Sequence, residues 1–282
     1  MSGSPLGARL VEAAQRIDRA LGPARVRRIV LPPLVDKPGK EGEFCAVQLD
    51  DGSVGLAFAI LGDTLRLLHA RGADPGEGTA LALVRGYAEG GPAARSLGLA
   101  AINALAQRLY RRAGFVPDDS VDSFGSLALA RGDRLGMVGH FTPLIAQARA
   151  LGVDVTVLEL RPELVREEPG LTVTLDAGRL APCNKIVATS SVLLNDTFEQ
   201  VSAAWRGAEA VALVGPSAGC PPDALFEAGV SAIGTVRVAD ADALLARLAS
   251  GTKWGAASRK VTLTRARYPG LEALLSRARA SG

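Results

Sequence analysis

Two histidines occur in 282 residues, and one of them, His140, stands in "RLGMVGHFTPL" (Arg134–Leu144), behind an apolar run and just ahead of a Thr-Pro pair. Thr142 reads as a helix N-cap with Pro143 in the first turn. A helix N-terminus offers free N–H groups and partial positive charge, so it favours anions and disfavours a protonated imidazole. Neutral imidazole is the form that binds a metal or takes up a proton. Glu159, closing the next apolar run "DVTVLEL", is the matching carboxylate: a second ligand, a partner in proton transfer, or a solvated edge residue. Cys220 in "GPSAGCPP" reads either as a third, soft ligand or, as a lone cysteine, as a small buried apolar residue. Cys45 and Cys183 read as packing residues, and His69, among Leu65, Leu67 and Leu68, carries no signal.

Around these stand groups suited to holding a ligand. Phe141 follows His140; Thr189, Ser190 and Ser191 close "KIVATS"; Asn195 and Thr197 come shortly after; Ser217 lies in "GPSAGCPP". Asn195–Thr197 followed by Glu199 also reads as a helix start with a capping box. Two helix starts facing one crevice suit an anionic ligand, or a metal carried by anionic groups. No close-spaced pair of histidines or cluster of cysteines is present, so a metal here implies an open site or a metal complex, not a closed cage. "GMVGHFTP" is not G-x-G-x-x-G, although Glu159 falls about 20 residues on, where a ribose-binding acid sits in dinucleotide folds. P-loop, G-x-S-x-G and H-E-x-x-H patterns are missing.

The elements that must position these residues fall into two parts. Ser4-Pro5 opens a helix carrying Leu6, Leu10, Ala13, Ile17 and Leu21, which Gly22-Pro23 stops. Asp51-Gly52 between apolar runs predicts a hairpin. After the loop Gly72–Gly78 comes a helical stretch in which Leu97, Ala101, Leu105 and Leu109 form one stripe. The polar "VPDDSVDS" (Val116–Ser123) marks a boundary, giving a small α+β domain at 1–115 and a second domain at 116–282. There "LGMVG", "DVTVLEL", "KIVATS", "AVALVG" and "AIGTVRV" alternate with helical stretches. The expectation is an α/β chain whose second part is a Rossmann-like, doubly wound parallel sheet of about five strands. Such sheets bind ligands at the carboxyl ends of their strands, where the residues above stand.

Composition narrows the function classes. An apolar fraction of 48% lets each part bury a core. A net charge of +3 without a basic stripe gives no reason to expect nucleic acid. No apolar run reaches the ~20 residues of a membrane span, and the N-terminus reads as an amphipathic helix, not a signal peptide. Three scattered cysteines argue against a disulfide framework and for the cytoplasm. The C-terminal stretch Tyr268–Ala280 can cover either the sheet or a partner subunit, which leaves a homo-oligomer open.

"RSLGLAAINAL" (Arg95–Leu105), "MVGHF", "VLEL", "ATSSVLLNDTFEQV" (Ala188–Val201) and "GPSAGCPPDALFEAGV" (Gly215–Val230), in that order, resemble the family described as putative heavy-metal chelation. The resemblance covers most of the chain from Gly52 onward. It implies an enolase N-terminal-like domain before a Rossmann-like one, with a site in the cleft between them. Carried over residue by residue, it points to Asn103, His140, Glu159, Thr189, Asn195, Thr197, Gly215, Pro216 and Ser217. Asn103 lies well off its helix's apolar stripe at 100° per residue, so it faces solvent or the other domain; the resemblance favours the latter. "SSV" replaces the family's more usual glycine-threonine flavour, which alters the crevice. Two functions follow as expectations: binding of a divalent metal ion or a metal-carrying small molecule, or catalysis on a small anionic metabolite with His140 as general acid/base. A nucleotide or small-ligand sensor is disfavoured by the missing phosphate-binding glycines.

Overall fold

The Ser4 hydroxyl accepts the Gly7 amide at 3.1 Å and Pro5 takes the first helical position, so α1 (Pro5–Leu21) begins where its capping chemistry places it. The computed structural model describes residues 4–34, 43–74, 78–119 and 127–280. The expected loop Gly72–Gly78 and boundary Val116–Ser123 therefore lie partly outside the described residues. After α1 come β1 (Val26–Val30), β2 (Phe44–Leu49) and β3 (Val54–Phe58), an antiparallel sheet in the order β1-β2-β3. At the β2–β3 turn Gly52 adopts φ +87°, and the Asp51 carboxylate accepts the Ser53 amide at 2.9 Å, the hairpin chemistry expected of Asp-Gly.

Three helices follow: α2 (Thr64–Arg71), α3 (Ala80–Glu89) and α4 (Pro92–Arg112). The stripe expected on α4 proves too narrow, because every residue from Ser96 to Ala106 is buried. A helix apolar nearly all round belongs inside a core. It lies against β2 and β3 on one side and against α1 and α3 on others. Gly55 of β3 permits the closest approach: a Cβ there would stand 2.0 Å from the Ala100 carbonyl oxygen and 2.3 Å from the Ala104 amide nitrogen.

Among the described residues the second sheet has nine strands. They are β4 (Asp118–Asp119), β5 (Arg134–Val138), β6 (Asp154–Leu158), β7 (Arg166–Glu168), β8 (Leu171–Thr174), β9 (Lys185–Thr189), β10 (Ala210–Val214), β11 (Ala232–Val238) and β12 (Ser258–Thr264). Their order is β4-β12-β11-β10-β9-β5-β6-β8-β7. The run β8-β6-β5-β9-β10-β11 is parallel throughout. In chain order it reads 3-2-1-4-5-6, with the switch point between β5 and β9. The five expected strands are all in it. The sixth, β8, is entered through the short antiparallel β7 and not through an α-helix, so strand–helix alternation did not reveal it.

Side chains alternate across this sheet. Ile186, Ala188, Val211 and Leu213 pack into one core with α1, α4, α6 (Phe198–Ala204), α7 (Asp223–Glu227) and α9 (Leu271–Ala280). Val187, Ala212 and Val214 pack on the other face with α5 (Thr142–Ala150). The small sheet shares the first core through α4 and its strands. Its other face meets α8 (Ala241–Ala249) through Leu244, Leu245 and Leu248, so every residue of β2 is buried. The C-terminal helix α9 buries Leu271, Leu274, Leu275 and Ala278 against α1 and α4 of its own chain. Among the described residues no helix is long and apolar enough to cross a membrane.

Candidate functional site at the carboxyl edge of the large sheet

Beyond β5 the chain turns at Gly139, whose φ of +89° suits glycine and whose amide donates to Leu158 O at 2.9 Å. That bond aligns the ends of β5 and β6 and sets His140 beside Glu159. Burial pushes the Glu159 carboxyl up, but three things together hold it below its usual range: the Arg161 guanidinium by hydrogen bond and charge, the Leu160 amide, and the backbone N–H of His140. The Arg161 contact is 3.2 Å and the Leu160 contact 3.0 Å. The imidazole lies within 3.5 Å of Arg166 through Nε2 and 3.3 Å of the Thr142 hydroxyl through Nδ1. Arginine only donates, so in that contact Nε2 is the accepting nitrogen. Thr142, expected as the N-cap of α5, is its first helical residue instead. Phe141 is the N-cap and makes no side-chain cap bond, the Thr142 hydroxyl being turned to His140.

Thr189 closes β9 across the switch point. Its hydroxyl accepts the Ser191 amide at 3.3 Å and lies 3.1 Å from the Ser191 hydroxyl. A Cβ on Gly139 would stand 3.1 Å from the Thr189 methyl. Phe141, half-buried, packs with the α5 core. Gly139, His140, Phe141, Glu159 and Thr189 thus share one rim of the sheet.

The remaining expected residues serve other ends. Ser217 is fully buried and its hydroxyl accepts the Phe58 amide of β3 at 2.9 Å. The Asn103 side-chain amide donates to Leu56 O at 2.7 Å and Ser217 O at 2.9 Å, and Ser96 donates to Phe58 O at 3.1 Å. Asn103 therefore does face the large-sheet part, as a clasp joining α4, β3 and the turn Pro216–Ala218. The space beside it measures about 10 Å³, too little for an organic ligand. Ser190 is buried against Gly215, whose φ of +137° only glycine accepts readily; a Cβ there would meet the Ser190 hydroxyl at 2.2 Å. Asn195 accepts the Thr197 hydroxyl at 2.6 Å and the Thr197 amide at 3.3 Å, a local turn. Glu199 completes no capping box with them: it accepts from the Ser4 hydroxyl and, at 3.4 Å, the Leu6 amide, at the start of α1.

Cys220 is fully buried in the core, where burial pushes its thiol up to about 12. A protonated, inaccessible thiol is a poor ligand. Among the described residues no three histidine, cysteine, aspartate or glutamate side chains are grouped as a metal site would need. Sequence reasoning missed Arg161 and Arg166. The first stands two residues past Glu159; the second reaches His140 only through the β7–β8 hairpin, which left no periodic signal.

The molecule is a mixed α/β protein with a small antiparallel sheet, a large mostly parallel sheet, and polar side chains at that sheet's carboxyl edge. It belongs to the family DUF364, described as putative heavy-metal chelation, whose model matches residues 122–267. A second model with the same description, DUF4213, matches residues 42–106. A DUF364 protein of unknown function from Pyrococcus horikoshii superposes with a TM-score of 0.68 at 18% identity, over 92% of this chain and 99% of that one. One from Desulfitobacterium hafniense gives 0.67 at 21% identity, over 91% and 98%. An uncharacterized protein of Methanocaldococcus jannaschii is 28% identical over 176 residues; the match spans 60% of this chain and 65% of that relative's length. The structural likeness, at these identities, is one of fold.

Proposed function

We propose that the chain binds a metal already carried by a small anionic chelator, at the carboxyl edge between β5, β6 and β9. The observation that supports this most is that His140 and Glu159 follow the paired strands β5 and β6, with the His140 backbone N–H against the Glu159 carboxylate, and with no third protein ligand grouped with them among the described residues. Two protein donors leave most of a metal's coordination to something else, and a chelator supplies it. Arg161 and Arg166 stand where they can meet the chelator's negative charge. The proposal takes residues 1–115 as the unit that backs the edge through the Asn103 clasp, and residues 116–282 as the unit that carries it.

The test is native mass spectrometry of gently purified protein against its denatured mass, on wild type and His140→Ala. The expected result is an excess mass showing both a metal isotope pattern and an organic component, lost in the variant. Bare metal retained equally by His140→Ala overturns the proposal. A second reading rests on the acceptor state of Nε2: His140 as general base toward an anionic metabolite. Under it, His140→Ala keeps an organic mass without metal and loses turnover.

A further inference from the structure

Neither β11 nor β12 contains an acidic residue, although each carries an arginine, Arg237 on one and Arg259 on the other. The strands pair antiparallel with Arg237 directly opposite Arg259. Directly opposed residues of such a pair project from one face with Cβ atoms about 5 Å apart, and like charges there are destabilising. Among the described strand pairings this is the one that sets like charges opposite each other. The adjoining edge strand β4 supplies two carboxylates. Asp118 pairs with Arg267 at 2.8 Å, and Asp119 reaches Arg237 only at Nη2 and at 3.8 Å, beyond hydrogen-bond length.

An arginine takes an oxyanion side-on through two parallel N–H groups, here Nε and Nη2. On Arg237 that fork is open. Its Nε is buried and has no hydrogen-bond partner among the described residues, and its Nη2 has the long contact to Asp119. A buried charged donor without an acceptor is costly, and a bound ion is one way in which such a donor is completed. A second orphan stands on the same face of β11. Thr235, two residues before Arg237, is 6% exposed, and its hydroxyl has no partner among the described residues. Arg259 is exposed, with Nη1 donating to Ser258 O at 3.3 Å. A carboxylate fills one guanidinium fork, whereas a tetrahedral oxyanion has oxygens enough for two.

We propose that the Arg237–Arg259 pair binds a phosphate group. The Arg237 fork holds two of its oxygens, Arg259 meets a third, and its charge offsets the repulsion between the two guanidinium groups. The site is separate from the His140 edge, since β9 and β10 lie between β5 and β11 in the sheet.

Isothermal titration of the full chain with inorganic phosphate at constant ionic strength tests this, with sulfate and acetate as comparison ligands. Saturable uptake of one phosphate is expected, with sulfate competing and acetate not. Arg237→Gln should weaken uptake about tenfold, as loss of a hydrogen-bonded charge does, and the more exposed Arg259→Gln about threefold. Urea unfolding separates binding from a structural role. In phosphate-free buffer Arg259→Gln should keep or raise the wild-type midpoint, because it removes a like charge, and added phosphate should raise the midpoint of wild type more than that of the variant. Glycerol phosphate competing as well as phosphate identifies a phosphate monoester as the natural source, and failure to compete identifies the free ion. His140→Ala should take up phosphate as wild type does. Absence of saturable uptake, competition by acetate equal to that by sulfate, undiminished uptake by Arg259→Gln, or a midpoint of that variant well below wild type without phosphate overturns the proposal.

Discussion

Asn103 and His140 are both single polar side chains set against apolar sequence, and they do opposite work. Asn103 is 2% exposed, and its amide joins β3 to the turn Pro216–Ala218. His140 stands half-buried on the rim, its ring held only by contacts of 3.3 and 3.5 Å. In the clasp, the Asn103 side-chain nitrogen completes the bonds of two buried carbonyls, while its Oδ1 has no partner among the described residues; on the rim, the polar atoms keep capacity for something outside the chain. Burial, more than residue type, separates the two. Each prediction below either widens that separation or collapses it.

The largest effect belongs to the clasp's backbone. In Gly55→Ala the new methyl meets the backbone of α4 at 2.0–2.3 Å, and neither partner is a flexible side chain. Either α4 or β3 must shift, at a cost of about 3 kcal/mol. Urea unfolding should show a much lower midpoint. Wild-type stability in this variant would mean that the small sheet and α4 are not locked together. Asn103→Leu comes next: it leaves Leu56 O and Ser217 O buried without their donor, for about 2 kcal/mol. Its midpoint should fall, while any ligand carried by the folded protein should stay bound. Loss of ligand at unchanged stability would instead move Asn103 to the rim's side of the comparison.

On the rim, Glu159 contributes through its charge. Its folded-state carboxyl is held low, so ionised Glu159 stabilises the fold above the unfolded-state pKa of about 4.3. That contribution fades as pH falls through the lower folded value. The stability gap between wild type and Glu159→Gln should therefore be widest near neutrality and shrink in acid. Urea midpoints at pH 7 and in mild acid measure it; a gap that does not change with pH contradicts the Arg161 and amide contacts as the cause.

Much of this division is hidden from sequence for physical reasons. The helix cap at Ser4, the Asp51-Gly52 hairpin and the five central parallel strands depend on local chemistry or on periodicity, and both can be read along the chain. So can the convergence of strand ends, which follows from the sheet's order. Whether Ser217 or His140 is engaged depends on which surface packs over it. Ser217 is claimed by Phe58, 159 residues away in the chain. Arg166 reaches His140 through a three-residue strand, too short to show a period. Helical phase correctly put Asn103 off the narrow stripe, but α4 is buried on every side along its middle, so leaving the stripe did not mean reaching solvent.

The smallest stability effect, and the sharpest contrast, is expected of His140→Ala. The ring completes no buried partner's only bond: Thr142 is exposed, and Arg166 also pairs with Glu168 at 2.9 Å. Its removal should shift the unfolding free energy by no more than about 0.5 kcal/mol, as for a surface change away from caps and cores. The excess mass carried by gently purified protein should nevertheless disappear. Paired with Asn103→Leu, which should lose stability and keep ligand, this gives opposite readouts from two residues of the same expected site. If His140→Ala unfolds as easily as Asn103→Leu, the rim is a second clasp. The ligand must then be sought elsewhere on the molecule.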